Sequence, residues 1–407
     1  MEEWKEYKLH EIGRIVGGAT PPTKDSANYD GDISWITPKD LSNFTGRYIQ
    51  KGERSITQKG FDSSSCQILP KGSILFSSRA PIGYIAIAAN ELCTNQGFKS
   101  IIPDNNLVNN LFLYYLLKHN KEEIEGLGSG TTFKEVSAKV MQNFDIKIPS
   151  IQTQKKIADI LSSLDDKIEL NRRINDNLEQ QAQALFKSWF VDFEPFKEGK
   201  FVDSELGRIP EGWRVERLGS VCKCLLGGTP SRNKEEYWNG KIAWINSGEI
   251  NEFRITKPSE YITQEGLKKS ATKLLPKKTT VLAITGATLG QVSLLEIDSC
   301  ANQSVIGLLE NEDIFHEYIY PLIKNRIDDL CSHMTGGAQQ HINKNNVEQL
   351  EILVPPKKIL VEYKQIATPI YSLISNICFE SQKISKLRDS LLPHLMSGEL
   401  KLDKINN

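Results

Sequence analysis

The sequence predicts an α+β protein: two tandem-duplicated α+β globules separated by two long antiparallel coiled-coil helices, with pseudo-twofold symmetry. Three observations predict it. A stretch of domain length is written twice. Within each copy, short apolar runs split by loop residues read as strands beside one or two helices. After each copy comes a stretch whose apolar residues recur every 3.5 positions. At 407 residues the chain also exceeds what one ordinary core serves.

The duplication is legible phrase by phrase. "NQGFKS" from Asn95 returns as "NQSVIG" from Asn302, so that Cys93, Asn95 and Gln96 recur 207 positions on as Cys300, Asn302 and Gln303. "GATPPTKDSANYDGDISWI" answers "GGTPSRNKEEYWNGKIAWI", with Trp35 on Trp244 at a shift of 209. "LPKGSILFSSRAPIG" answers "LPKKTTVLAITGATLG", and "GSGTTF" answers "TGGAQQHI". The order never changes and the register slips only slightly. This is a duplicated domain, not a solenoid.

Each copy reads as strand, loop, strand across "GSILFSSRAPIGYIAIA" and "TTVLAITGATLGQVSLLE". "NLFLYYLLKHNKEEIEGLG" predicts a helix ending at glycine, and "DIFHEYIYPLIKNRIDDLCSH" its counterpart, disturbed at Pro321. The seam of the first long helix is Ile157, Leu161, Leu164, Ile168, Leu178, Ala182, Leu185 and Trp189, with Asn171 and Asn175 in two polar slots. The second repeats it with Ile366, Ile370, Leu373, Ile377, Ile384, Leu387 and Leu391, and Glu380 in the polar slot. An asparagine in such a seam fixes register. The resulting boundaries are a globule at 1–150, a helical region at 151–198, a globule at 199–356 and a helical region at 357–407. The economical arrangement sets the globules at opposite ends of the helical pair.

Composition excludes several classes. Apolar residues at 39%, charged at 25% and aromatics at 8% describe a globular chain. No apolar run is long enough to span a bilayer, and "MEEWKEYKLHEIG" is too charged for a signal peptide. Seven cysteines without a regular framework read as reduced thiols in the cytoplasm. "CKC" at Cys222 and Cys224 has no second ligand pair and reads as buried strand rather than metal site. There is no phosphate-binding G-x-x-x-x-G-K-[ST], no dinucleotide fingerprint, no nucleophile elbow and no zinc-protease histidine pair. "VPPK" and "TPPT" do not match the Asp/Asn-Pro-Pro-aromatic phrase of adenine methylation, and no paired carboxylates stand out. The chain is expected to catalyse nothing, to hold no metal and to bind no cofactor. Its net charge of −1 is low for a dedicated DNA binder. A single basic face shared with other subunits would reconcile the two.

Two similar but unequal globules at fixed separation suit the reading of two half-sites on a long polymer. DNA repeats its faces every ~34–36 Å, and a helix from Gln152 to about Phe190, rising ~1.5 Å per residue, is on the order of 55 Å long. At this point the ordered phrases carry a resemblance. Paired α+β domains, "LGRIPEGW", the "NQ" phrases, "GSGTTF" and "GGAQQHIN", "IPSIQTQKKIADIL" and "LLPHLMSGEL" resemble the specificity subunit of type I restriction–modification systems over essentially the whole chain. The resemblance implies two target recognition domains, a bipartite double-stranded DNA target, and central and C-terminal helical spacers that dock two modification (methyltransferase) subunits. It also implies restriction (endonuclease and translocase) subunits. S-adenosylmethionine, ATP and magnesium would be used by those partners and none by this chain. Two other classes stay open: a stand-alone DNA-binding module, and a scaffold whose globules bind proteins.

The candidate DNA contacts lie on two loops per copy. The first offers Ser77, Ser78 and Arg79, and in the second copy Thr285; arginine suits a guanine edge, and hydroxyls reach bases or phosphates. The second offers Thr131, Thr132 and Lys134, and in the second copy Gln339, Gln340, His341 and Lys344; glutamine can read adenine. Trp35 and Trp244, Asn95 and Gln96, and Asn302 and Gln303 recur in both copies and are assigned to the scaffold, the amides tying a turn at a strand end.

Overall fold

The computed structural model describes residues 4–130, 134–332 and 341–400. The chain forms two compact units. Unit 1 runs to Glu169 and adds the stretch from Ile384; unit 2 is Leu170–Lys383. Each contains one globule and part of both long helices, Ile151–Phe190 and Lys357–Met396.

In unit 1 a five-stranded sheet has the order Gly13–Gly17, Lys99–Pro103, Ile74–Ser78, Ile82–Ala88 and Tyr48–Ile49. Beside it lies a three-stranded sheet of Arg54–Ile56, Tyr29–Ile36 and Cys93–Thr94. In unit 2 the order Lys223–Leu226, Val305–Leu309, Thr280–Ala283, Val292–Leu294 makes the first sheet. Glu260–Ile262, Trp238–Ile245, Ser299–Ala301 and Leu274–Leu275 make the second. The repeat extends to single ladder positions: Trp35 pairs in parallel with Cys93, and Trp244 with Cys300. "DG" at Asp30–Gly31 and "NG" at Asn239–Gly240 break the same strand in both units. Asp30 and Asn239 have φ of 61° and 59°, and a Cβ on Gly31 or Gly240 would come within 2.7 Å or 2.3 Å of the facing carbonyl oxygen. Only glycine fits so close a backbone.

Each globule opens and closes in one antiparallel ribbon, Lys5–Lys8 with Asp145–Ile148, and Arg214–Arg217 with Glu351–Val354. Chain entry and exit therefore lie together, beside the start of a long helix. In unit 1 the turn after the second long helix returns to the same region, where Gly398 lies against the Trp4 indole.

The helices predicted to end at glycine each break earlier. Asn110–His119 is followed by Lys121–Gly126, and His316–Asn325 by Ile327–Ser332, the breaks falling at Asn120 and Arg326. Pro321 sits inside its helix because the bond it cannot donate is replaced. The Glu317 carbonyl four residues earlier accepts the Tyr363 hydroxyl at 3.2 Å.

Both cores include the long helices. In unit 1, Ile157, Ala158, Leu161, Leu392 and Leu395 join Phe76, Phe112 and Tyr115. In unit 2, Phe186, Phe190, Tyr363, Ala367 and Tyr371 join Tyr318 and Ile319. Within unit 2 the helices run antiparallel: Asn171 donates to Glu380 at 2.7 Å and to Ser381, Asn175 donates to Cys378, and Phe190 meets Tyr363. The polar slots of the two helices thus meet each other. The second seam departs from expectation. Ile366, Leu373 and Leu387 are exposed, and the buried row is Leu360, Tyr363, Ala367, Tyr371 and Ile374. The globule claims that face, which turns Ile366 and Leu373 outward, while Ile377 of the expected stripe stays buried and Ile370 packs at the edge of the core.

An arginine ties each globule to its helices, largely covered in unit 1 and fully buried in unit 2. In unit 1, Arg47 donates to the Tyr115 hydroxyl and the Ser162 carbonyl at 3.0 Å each and pairs with Asp166, while Asp165 also binds Arg388 at 2.6 Å. In unit 2, Arg254 binds Glu179 at 2.9 Å and the Tyr320 hydroxyl at 3.0 Å, and Lys324 closes on Glu179 at 2.9 Å. Burial pushes the Glu179 carboxyl up, but the Arg254 and Lys324 charges outweigh it and hold the pKa at about 2.

Candidate nucleic-acid interface

The two predicted loops of each copy are neighbours in space. In unit 1 the Val136 amide donates to the Ser78 carbonyl at 3.0 Å; in unit 2 the Ile342 amide donates to the Ile284 carbonyl at 3.0 Å. Both pairs are offset by the same 206 positions. One backbone bond in each unit therefore sets the strand-end loop beside the glycine-rich loop.

On that frame the side chains differ. Arg79 follows the strand Ile74–Ser78 and precedes the cis peptide Ala80–Pro81. Its guanidinium is 37% exposed and 3.6 Å from Glu135, whose other oxygen is 3.1 Å from Lys99. So long and open an ion pair is worth about 0–1 kcal/mol, so a phosphate or guanine edge competes with it readily. Lys134 is exposed beside it. In unit 2 Thr285 is half-buried ahead of Gly286, whose φ is 75°, and His341 is exposed. Lys344 opens a short helix capped by Asn343 and pairs with Glu348 at 2.9 Å. Thr131, Thr132, Gln339 and Gln340 lie outside the described residues.

Ser77 and Ser78 do not belong to this surface, contrary to the sequence expectation. Both are fully buried. The Ser77 hydroxyl donates to the Pro81 carbonyl and accepts the Tyr84 amide, each at 2.8 Å, and the Ser78 hydroxyl donates to the Gly97 carbonyl at 3.1 Å. They shape the Arg79 loop from within. "SSR" reads as a polar tip, but the strand runs through both serines before it turns.

The residues repeated in both copies form one tie. The side-chain carbonyls of Asn95 and Asn302 accept the amide two residues on, at 2.9 and 3.0 Å. Gln96 and Gln303 accept the hydroxyls of Thr20 and Thr229 from the glycine–threonine–proline loop. The indole N–H of Trp35 donates to the Ala19 carbonyl at 3.0 Å, that of Trp244 to the Gly228 carbonyl at 3.1 Å. A Cβ on Gly18 or Gly227 would fall 2.1 Å from the Asn95 or Asn302 carbonyl oxygen.

One feature escaped the motif reading. "LKKSATKLLPKK" gives unit 2 exposed Lys268, Lys273 and Lys277, where unit 1 has "FDSSSCQILPKG" with Lys71 alone. Comparing the charge of the two copies stretch by stretch would have found it.

The sequence profile described as the type I restriction modification DNA specificity domain matches residues 1–180 and 210–389. The type I restriction enzyme MjaIX specificity subunit of Methanocaldococcus jannaschii is 36% identical, over 99% of this chain and 95% of that protein. The type I restriction enzyme HindI specificity subunit of Haemophilus influenzae is 26% identical, over 98% of this chain and all of its own length. The crystal structure of an S subunit from M. genitalium shares the fold at a TM-score of 0.60, with 16% identity over 97% of this chain and 96% of that one. Two domain matches on a duplicated scaffold, with relatives that span the full length, place this chain in the family of type I restriction–modification DNA specificity subunits.

Proposed function

We propose that this chain reads a bipartite double-stranded DNA target, one half-site per unit, for a multisubunit restriction–modification complex in the cytoplasm. The observation that carries the reading is the paired loop: one backbone bond holds it in both units, while the side chains it presents, Arg79 and Lys134 against Thr285 and His341, differ. Constant scaffold with variable tips is what two different base readouts require. The exposed lysines 268, 273 and 277 suit phosphate contact in unit 2. Seven free cysteines suit a reducing compartment, and no described helix is long and apolar enough to cross a membrane.

The chain itself breaks no bond in this reading. Two modification subunits bring S-adenosylmethionine and methylate adenine; restriction subunits bring ATP- and magnesium-dependent translocation and cleavage. Docking of the modification subunits falls on the outward faces of the long helices. Ile366 and Leu373, one heptad apart and both exposed, form an apolar row of the kind a partner covers. The test is an electrophoretic mobility shift of the chain with and without modification subunits, alongside methylome sequencing of cells carrying both. Specific binding in the complex, with a two-part methylated motif, supports the reading. Binding by the chain alone at full affinity favours a stand-alone module. No binding in either state leaves a protein scaffold.

A further inference from the structure

We propose that Glu310, His316 and Glu317 of unit 2 form a site for one divalent transition cation of the zinc, cobalt or nickel kind. Glu310 follows the strand Val305–Leu309, and His316 and Glu317 open the ten-residue helix His316–Asn325. One ligand atom from each of the three lies within 4.8 Å of the other two. His316 Nδ1 is 2.7 Å from Glu310 Oε2 and 3.3 Å from Glu317 Oε2.

The second observation is the state of Glu317. Its side chain is 1% exposed. Oε1 accepts the Thr368 hydroxyl at 2.6 Å, but Oε2, aimed at His316, has no hydrogen-bond partner. A buried carboxylate is costly unless a cation or a set of donors stands against it. Elsewhere in unit 2 that condition is met: Glu179 has Arg254 and Lys324, and Glu296 has Lys278 at 2.6 Å. The only basic group paired with Glu317 among the described residues is the imidazole.

The donor set points to the ion. One imidazole nitrogen with two carboxylate oxygens suits zinc and its neighbours, whereas calcium and magnesium prefer six or more oxygens. The site is not part of the shared scaffold. The residues 206 positions earlier are Asp104, Asn110 and Leu111, which cannot make it. A cation there joins the strand-end loop to the helix start, and through Thr368 to the second long helix. Unit 2 would thus hold its globule on that helix with a clamp that unit 1 lacks.

Isothermal titration of the full-length, EDTA-treated chain with zinc tests this, together with the visible absorption of the cobalt(II) form. One zinc per chain is expected, with an upward shift of the thermal transition. Glu310→Gln, at the most exposed ligand, should keep the fold by circular dichroism and weaken zinc binding by about tenfold or more; His316→Gln should do likewise. Cys66→Ser and Cys222→Ser should change nothing. Absence of zinc binding, binding unaltered in Glu310→Gln and His316→Gln, or binding lost in a cysteine variant overturns the proposal. So does a transition indifferent to zinc that falls as pH rises through the histidine range in the wild type but not in His316→Gln; that result gives the neutralising charge to the imidazolium.

Discussion

Unit 1 and unit 2 hold the long helices with the same arginine and phenol but draw the carboxylate from different places. Arg47 and Arg254 lie 207 positions apart, and each donates to a tyrosine hydroxyl, of Tyr115 or Tyr320. In unit 1 the negative charge comes from Asp165 and Asp166 on the helix that leaves the globule. In unit 2 the position corresponding to Asp165 is Tyr371, whose ring lies 5.9 Å from the Arg254 guanidinium, and Glu179 on the other long helix supplies the charge. What the two copies share is a neutralised arginine set against the long helices, not the residue that neutralises it. The second version is drier: Arg254 is fully buried, while Asp166 is 67% exposed.

Substitution at the drier clamp should have the largest effect. Arg254→Met takes from the buried Glu179 its 2.9 Å guanidinium partner and leaves Lys324 as its basic partner; it should cost about 3–5 kcal/mol, read as a lowered melting transition in the near-ultraviolet signal of unit 2's aromatic core. Acid should act next. Glu179 titrates near 2 in the folded protein against an ordinary value of 4.5. A depressed folded pKa contributes stability that is complete above 4.5 and lost as pH falls toward 2, on the order of 3 kcal/mol. Glu179→Gln should remove that part of the acid dependence in a pH-denaturation series. At the loops, Arg79→Ala should weaken DNA binding by about 1–3 kcal/mol in mobility-shift titrations of the assembled complex, and leave the melting temperature unchanged. Thr285→Ala should weaken it less. Of the two clamp substitutions the smaller loss belongs to Arg47→Met, about 1–2 kcal/mol, because Asp166 is solvated and Asp165 keeps Arg388. A cost equal to that of Arg254→Met would erase the contrast between the clamps.

Much of this was readable in the amino-acid sequence because duplication turns single residues into pairs. Trp35 with Trp244 and Asn95 with Asn302 could be assigned together, and their hydrogen bonds match to within 0.1 Å. The outward turn of Ile366 and Leu373 was not readable. A 3.5-residue period marks an apolar stripe, but the second long helix carries two, and only the tertiary fold decides which one the globule takes. The burial of Ser77 and Ser78 was hidden for a similar reason, since a polar pair at a strand end looks like a loop until its acceptors are known. The clamps were invisible altogether. Arg47 and Asp166, or Arg254 and Glu179, are far apart in sequence, and no local pattern links them.

The contact of Gly398 with Trp4 brings the turn after the second long helix back to the residue just ahead of the ribbon that opens and closes the unit 1 globule. A chain in which a short linker joined Gly398 to Trp4, and which was opened instead within the 191–200 connector, would keep every clamp and loop described above without lengthening any helix.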